Sequence, residues 1–258
     1  MSAPASAVKI FAIAAIALSA ASCATAQKST GLAQTTSTGA AQLNLKKGQY
    51  LSVTISEAKT SEEAVKARLN YYRTGYPLGA QYGLRQETSL SVVSAIISDY
   101  KPTGVLFFSY PDKQSADGLA ANPDWEAVKA TRPDIWNELK IFSAETTEDL
   151  AIKFDPEKSY TLVVAWKKDE DPDGYEKYLS GIEPAVARAG GRFIYKMYNP
   201  QLESNDASEP APAQLTFVEW DDLDGFSRVQ ATEEYKASVP FFQSGVSKIE
   251  FYRMSVRQ

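Results

Sequence analysis

Histidine is absent from the 258-residue sequence, and cysteine occurs once, at position 23. The lack of histidine excludes a Ser-His-Asp triad, a histidine-ligated zinc and a proximal histidine for haem. Because Cys23 precedes the globular part, that part has no cysteine nucleophile, thiolate metal site or disulfide. No glycine-rich nucleotide loop follows a strand. We therefore predict no metal site and no cofactor, and acid–base chemistry would fall to carboxylates, tyrosines or lysines.

An excess of basic residues is also missing. The formal net charge is −5, and the charged residues are of mixed sign, without a basic stripe. This balance argues against a nucleic-acid partner.

The first 26 residues are typical of a signal peptide. Lys9 precedes an apolar run at residues 10–18, which is too short to span a bilayer, and small residues follow. Cys23 resembles the lipidated cysteine of a bacterial lipobox, although Ala20 stands where leucine is usual. We expect an exported protein, either secreted or periplasmic after loss of Cys23, or anchored in a membrane by a lipid on Cys23.

Residues 27–46 are rich in Ser, Thr, Gly, Ala and Gln and are predicted to be a flexible linker. The remaining chain shows a pattern that occurs twice, displaced by 110 positions. Residues 105–110 lie over residues 215–220, and Trp125 falls on Tyr235. The displacement predicts two units, at residues 47–150 and 156–258.

The order of predicted elements in each unit is β-α-β-β-α-β. The first helix is predicted to end near Tyr72, because residues 75–79 contain two glycines and a proline. Asp171 is predicted to cap a helix at residues 172–189. It is not taken as a calcium ligand, because Ser180 stands where an EF-hand loop requires glutamate. Residues 199–212 are predicted to be a mobile insertion.

A ferredoxin-like unit has helices on one face of its sheet, so the other face requires a partner. Two such sheets in one chain can pack face to face. We therefore predict the α+β class, with two tandem ferredoxin-like units paired as a pseudo-dimeric α+β barrel, and a monomeric chain.

Residues 160–254 resemble small domains of unknown function in the dimeric α+β-barrel superfamily. The resemblance rests on four features: residues 171–175 (Asp-Pro-x-x-Tyr), 190–192 (Gly-Gly-Arg), 218–220 (Val-Glu-Trp) and 232–235. The last is Thr-Glu-Glu-Tyr where such domains usually have Ser-Pro-x-Tyr, so this copy is divergent. Residues 50–144 resemble these domains only because they repeat the pattern of residues 160–254. The superfamily includes cofactor-free oxygenases, haem-degrading enzymes and members without assigned activity, so the resemblance implies fold more than function.

Glu219 is the carboxylate singled out as a candidate site residue. It lies on a strand expected to be buried on both faces, where an unpaired carboxylate is costly, so Arg192 or Lys196 is expected to pair with it. It is interpreted either as a polar anchor or general base in a cleft, or as a paired or solvated carboxylate at the sheet margin. Ser109, at the equivalent place in the first unit, does not repeat the charge.

Aromatic residues supply the other candidates. Trp166, Tyr195 and Tyr198 are predicted to line an apolar ligand site with Glu219 and Arg192, and core packing is the alternative. Four tyrosines near the end of the first helix could rim a pocket mouth or form an amphipathic surface: Tyr71, Tyr72, Tyr76 and Tyr82.

Two classes of function remain. The first is an exported protein that binds a small apolar or aromatic ligand in a cleft between sheet and helices. The alternative, implied by the superfamily resemblance, is a cofactor-independent monooxygenase-like enzyme. No residue is assigned a catalytic role.

Overall fold

The computed structural model describes residues 41–198, 202–208 and 210–256. The predicted signal peptide and lipobox lie outside the described residues, as does the linker up to residue 40. No helix in the described ranges is long and apolar enough to cross a membrane.

The described chain alternates strands and helices in an order that repeats. The elements up to residue 154 are β1 (Ala41–Leu45), β2 (Tyr50–Ala58), α1 (Glu62–Ala80), β3 (Arg85–Ile97), β4 (Gly104–Tyr110), α2 (Lys113–Ala120), α3 (Pro123–Lys129), α4 (Arg132–Ile135), β5 (Trp136–Glu145) and β6 (Leu150–Phe154). Those that follow are β7 (Ser159–Lys167), α5 (Gly174–Arg188), β8 (Gly191–Met197), β9 (Glu203–Ser204), β10 (Gln214–Trp220), α6 (Gly225–Gln230), α7 (Glu233–Gly245) and β11 (Val246–Val256).

The two halves of the chain have the same sheet topology. In the first half the strands are ordered β3-β4-β2-β5, and in the second β8-β10-β7-β11, all antiparallel. Both are the order of a ferredoxin-like β-α-β-β-α-β unit. The halves join where β11 pairs with β3. The predicted fold class is confirmed: the chain is a pseudo-dimeric α+β barrel.

The sheet curves so that its ends approach each other. β8 and β9 stand at opposite ends of the nine-strand order, with β9 paired to β5. Five residues separate Met197 from Glu203 in the chain, a length that spans at most about 20 Å. The covalent chain therefore holds the two ends of the sheet near each other.

The barrel interior is the largest apolar core, and both halves contribute to it. Phe107 and Phe217, which are 110 positions apart, meet there with ring centroids 5.6 Å apart. Leu43 and Phe154, from the paired strands β1 and β6, are buried in the same core. Contact between corresponding residues of two halves is the geometry of a two-fold interface.

The strand β1 corrects the predicted linker at residues 27–46. Leu43 and Leu45 alternate with exposed residues, and β6 supplies backbone partners for residues 41–45. The Ser, Thr, Gly, Ala and Gln content of the preceding residues hid this short alternation. The partner strand lies more than a hundred residues later, so the local sequence did not indicate the pairing.

Three further local predictions differ from the structure. The helix α1 continues past Tyr72 to Ala80 with Pro77 inside it, because Gly75 and Gly79 allow Trp125 and Leu84 to pack closely against it. The helix α5 begins at Gly174, two residues later than predicted, with Asp173 at the N-cap position, and the Asp171 carboxylate accepts a hydrogen bond from the Ser244 hydroxyl (2.5 Å). Within the predicted mobile insertion, β9 pairs with β5.

Candidate ligand-binding site

Glu219 and Arg192 form an ion pair at the margin of the second half's sheet. Arg192 Nε donates to Glu219 Oε1 at 2.7 Å, and the Tyr160 hydroxyl donates to Glu219 Oε2 at 3.3 Å. The Glu219 side chain is 12% exposed and the Arg192 side chain 68%. The pairing of Glu219 with Arg192 is confirmed, and the hydrogen bond from Arg192 raises the pKa of its guanidinium.

The three aromatic candidates lie in different surroundings. Trp166 is buried in the barrel core and donates its indole N–H to the Pro210 carbonyl at 2.8 Å. Tyr195 packs against the same core and stacks on Phe217, with centroids 6.2 Å apart. The Tyr198 residue is 62% exposed. The structure thus brings Glu219 and Arg192 together but does not gather the five residues around one cavity, and their role in binding a ligand stays a prediction.

A cavity lies elsewhere, between the sheet of the first half and its helices α1, α3 and α4. Its volume is about 100 Å³, and it opens to solvent. Its walls come from three strands and these helices. The lining residues are Ser52, Thr54, Ser56, Tyr71, Tyr72, Gly75, Tyr76, Leu84, Leu106, Phe108, Tyr110, Trp125, Arg132, Trp136, Leu139 and Ile141.

The cavity exists because the helices of the first half do not fill the space above the sheet. The buried core there consists of three residues, Tyr71, Ile135 and Trp136. The corresponding space in the second half holds a core of twelve buried residues, with Leu179 and Ile182 of α5 among them. The buried positions of α1 are Ala64, Tyr71 and two glycines, so less side-chain volume points inwards.

Pairs of residues that correspond across the displacement of 110 positions show the same contrast between the two halves. Ile141, which lines the cavity, corresponds to Phe251, whose ring packs against Phe226 at 4.9 Å. Arg132 corresponds to Phe242, which packs on Tyr178 at 5.1 Å. At these two positions the second half has a large aromatic ring, whereas the first half has the smaller Ile141 and the charged Arg132.

The floor of the cavity is a row of hydroxyl groups on β2. Ser52 shares a 2.7 Å hydrogen bond with Ser143. Thr54 and Ser56 are only 8% and 7% exposed, and their hydroxyls make no hydrogen bond with any described residue. Both hydroxyls face the open cavity rather than a closed interior. These two therefore offer hydrogen bonds to whatever enters the cavity.

Aromatic rings form the roof and sides. Tyr71 meets Trp136 edge-on with centroids 5.0 Å apart, and Tyr72 stacks on Tyr76 at 5.3 Å. The Tyr76 hydroxyl is held by Gln86 at 2.5 Å. Burial, with smaller contributions from Tyr72 and Tyr71, raises the pKa of Tyr76. Rings fixed in this way present flat, apolar faces to the cavity.

Arg132 is the single charged residue in the cavity lining. Its Nε donates to the Tyr71 hydroxyl at 3.1 Å, and its guanidinium lies over the rings of Tyr71 and Trp125 at 5.9 and 5.8 Å. Burial raises the pKa of nearby Tyr110 to about 12; Tyr71 adds to the effect and the positive charge of Arg132 opposes it. The Tyr110 hydroxyl is therefore neutral at pH 7 and able to donate a hydrogen bond.

These residues suit recognition better than proton transfer. The cavity lining contains no Asp, Glu, Lys or His. A general base should have a pKa near the working pH, and Tyr76 and Tyr110 have pKa values raised away from it. In the described ranges, no group of three or more His, Cys, Asp or Glu residues could hold a metal ion.

The sequence indicated part of this site. Tyr71, Tyr72 and Tyr76, expected at a pocket mouth or on an amphipathic surface, line the cavity, whereas Tyr82 accepts a hydrogen bond from Asn122 instead. The hydroxyl row and Arg132 were missed. The available signal was the alternation of Ser52, Thr54 and Ser56 with apolar residues along β2.

Solved structures with a similar fold include one of an anthrone oxidase-like protein, with a TM-score of 0.53 and 14% identity over 84% of this chain and 94% of that one. A chlorite dismutase variant from Candidatus Nitrospira defluvii has a TM-score of 0.46 and 10% identity, over 82% and 93%. No family model and no curated protein matches the chain. At these identities the likeness shows the fold alone.

Proposed function

We propose that the chain binds a small, flat, mainly apolar ligand in the cavity of its first half. The observation that carries this proposal is the asymmetry between the halves: the same space is packed in the second half and unfilled in the first. A concave apolar site with a few convergent polar groups is the usual form of a small-molecule site.

The dimensions favour an aromatic ligand. Apolar cavities of about 150 Å³ hold one benzene ring. The cavity here, of about 100 Å³ and open at its mouth, suits one enclosed ring with further atoms reaching towards solvent. Flat faces from Tyr72 and Trp136 would stack on the ring, while Thr54 and Ser56 would hydrogen-bond a substituent.

The test replaces Ile141 by phenylalanine, the residue type at the corresponding position, Phe251, in the second half. We expect benzamide and indole to raise the melting temperature of the wild type, and Ile141→Phe to abolish this effect because the new ring fills the cavity. Ile96→Phe makes the same substitution at a position on β3 that is 40% exposed, and should leave the effect intact. Equal stabilisation of the Ile141→Phe variant, or none of the wild type, would refute the proposal.

A second candidate is oxygen-dependent oxidation of the bound aromatic without a cofactor. The fold likeness to an anthrone oxidase-like protein supports it. Oxygen uptake after addition of a hydroxylated aromatic, present in the wild type and absent from Ile141→Phe, would favour this function over binding alone. No uptake with compounds that bind would leave binding as the function.

We also propose export, on the basis of the signal-like residues 1–26. Fractionation of cells that express the full chain should place it outside the cytoplasm. If Cys23→Ala moves the protein from the membrane to the soluble exported fraction, the cysteine carries a lipid; if it has no effect, Cys23 is removed with the signal. A full-length cytoplasmic chain would contradict export.

A further inference from the structure

We infer that the ligand of the first-half cavity is an aromatic acid, whose carboxylate binds Arg132 while its ring occupies the apolar space. This inference rests on the proposed function and specifies the chemical class of the ligand.

The first ground is that the positive charge of Arg132 has no anionic partner among the described residues. Of the eight described arginines, four form an ion pair (Arg85, Arg188, Arg192 and Arg228) and four form none with a described residue (Arg68, Arg73, Arg132 and Arg253). Among these last four, Arg132 is the one that lines the cavity. Arg132 is half-buried and forms no ion pair with any described residue. A guanidinium that is partly removed from water gains most from an anionic partner, and carboxylates suit its planar fork.

The second ground is the orientation of Arg132. Its Nε is occupied by the Tyr71 hydroxyl, while its two terminal NH₂ groups make no hydrogen bond with the described residues. The rings of Tyr71 and Trp125 hold the guanidinium in place. A fixed cation with free donors binds an anion with little loss of side-chain entropy.

The third ground is the polar groups that surround the cation. The Tyr110 hydroxyl lies close enough for the charge of Arg132 to act on it, and it has no hydrogen-bond partner among the described residues. One carboxylate oxygen can accept from Arg132 and the other from Tyr110. Since the lining contains no acidic residue, nothing in the cavity wall repels the carboxylate.

The experiment compares three probes of equal size: benzoate, neutral benzamide and cationic benzylamine. Their dissociation constants for the full chain are measured by titration of the fluorescence of Trp125 and Trp136, which line the cavity. Hydrogen bonds to charged groups correspond to about tenfold or more in affinity. We expect benzoate to bind about tenfold more tightly than benzamide, and benzylamine more weakly than both.

Arg132→Met should remove the preference for benzoate and leave the affinity for benzamide unchanged, whereas Arg132→Lys should retain part of the preference. Arg188→Met, which removes an exposed ion pair with Glu234 in the second half, is the control and should behave as wild type. Equal binding of benzoate and benzamide by the wild type would overturn this inference but leave the proposed function standing. If none of the three probes binds, this inference fails; if indole also leaves the melting temperature of the wild type unchanged, the proposed function fails as well.

Discussion

At the residue scale, a buried ion pair joins Lys140 and Glu250 inside the barrel. Lys140 Nζ lies 2.5 Å from Glu250 Oε1, and the Glu250 side chain is 4% exposed. Tyr252 donates to the other carboxylate oxygen at 2.7 Å. The ring of Tyr100 lies 5.0 Å below the ammonium. Two charges removed from water in this way depend on each other for stabilisation.

Lys140→Met is therefore expected to destabilise the fold by about 3–5 kcal/mol, because it leaves the Glu250 charge buried without its cation. Lys140→Met combined with Glu250→Leu should recover most of this loss. Urea unfolding of the two single variants and the double variant measures the coupling. Lys66→Met, which removes the exposed partner of Glu62, is the control and should change stability little. Additive losses at positions 140 and 250 would contradict a coupled pair.

Buried tyrosines predict a loss of stability at alkaline pH. Burial raises the pKa values of Tyr110, Tyr160 and Tyr195 to about 12, whereas a tyrosine in the unfolded chain ionises near pH 10. Between about pH 10 and 12 the unfolded chain releases protons that the folded chain keeps. The free energy of unfolding therefore falls as the pH rises from about 10 to 12, and these tyrosines do not change it below about pH 10.

The measurement is the melting temperature across this range, together with tyrosinate absorbance. Tyrosinate from these residues should appear at the same pH as unfolding. Tyr110→Phe should reduce the pH dependence, because phenylalanine has no proton to lose. Ionisation of all tyrosines near pH 10 in a folded chain would contradict the argument.

At the element scale, the ribbon of β1 and β6 closes the barrel core. Leu43 is fully buried there, while its neighbour Asn44 is exposed. Leu43→Ala should cost about 2–5 kcal/mol, as for other buried leucines. Asn44→Ala should change the free energy of unfolding by less than about 0.5 kcal/mol. Equal effects in urea unfolding would show that β1 does not contribute to the core.

The elements also show how far the sequence could predict the structure. The order of predicted strands and helices, together with the displacement of 110 positions, was sufficient to predict the two β-α-β-β-α-β units. Local patterns cannot give the spacing between α1 and the sheet, which depends on the close packing of Trp125 against Gly75 and of Leu84 against Gly79. The cavity, and the role of Arg132 in it, arise from that spacing.

At the scale of the whole molecule, the two halves share one continuous sheet. The strand β3 is covered by β11 of the same chain, so this edge is not available to a second copy. We propose that the chain is a monomer. Light scattering on the full chain should give the mass of one chain over a wide concentration range, and an obligate dimer would contradict the proposal.

The Lys140–Glu250 pair has a consequence for how the barrel can be assembled. The two residues are 110 positions apart, as are Phe107 and Phe217, so they occupy corresponding places in the two halves. A homodimer of the first half would set lysine against lysine, and one of the second half glutamate against glutamate. Like charges so placed repel. If the chain were cut between the halves, the pieces should therefore choose each other over copies of themselves.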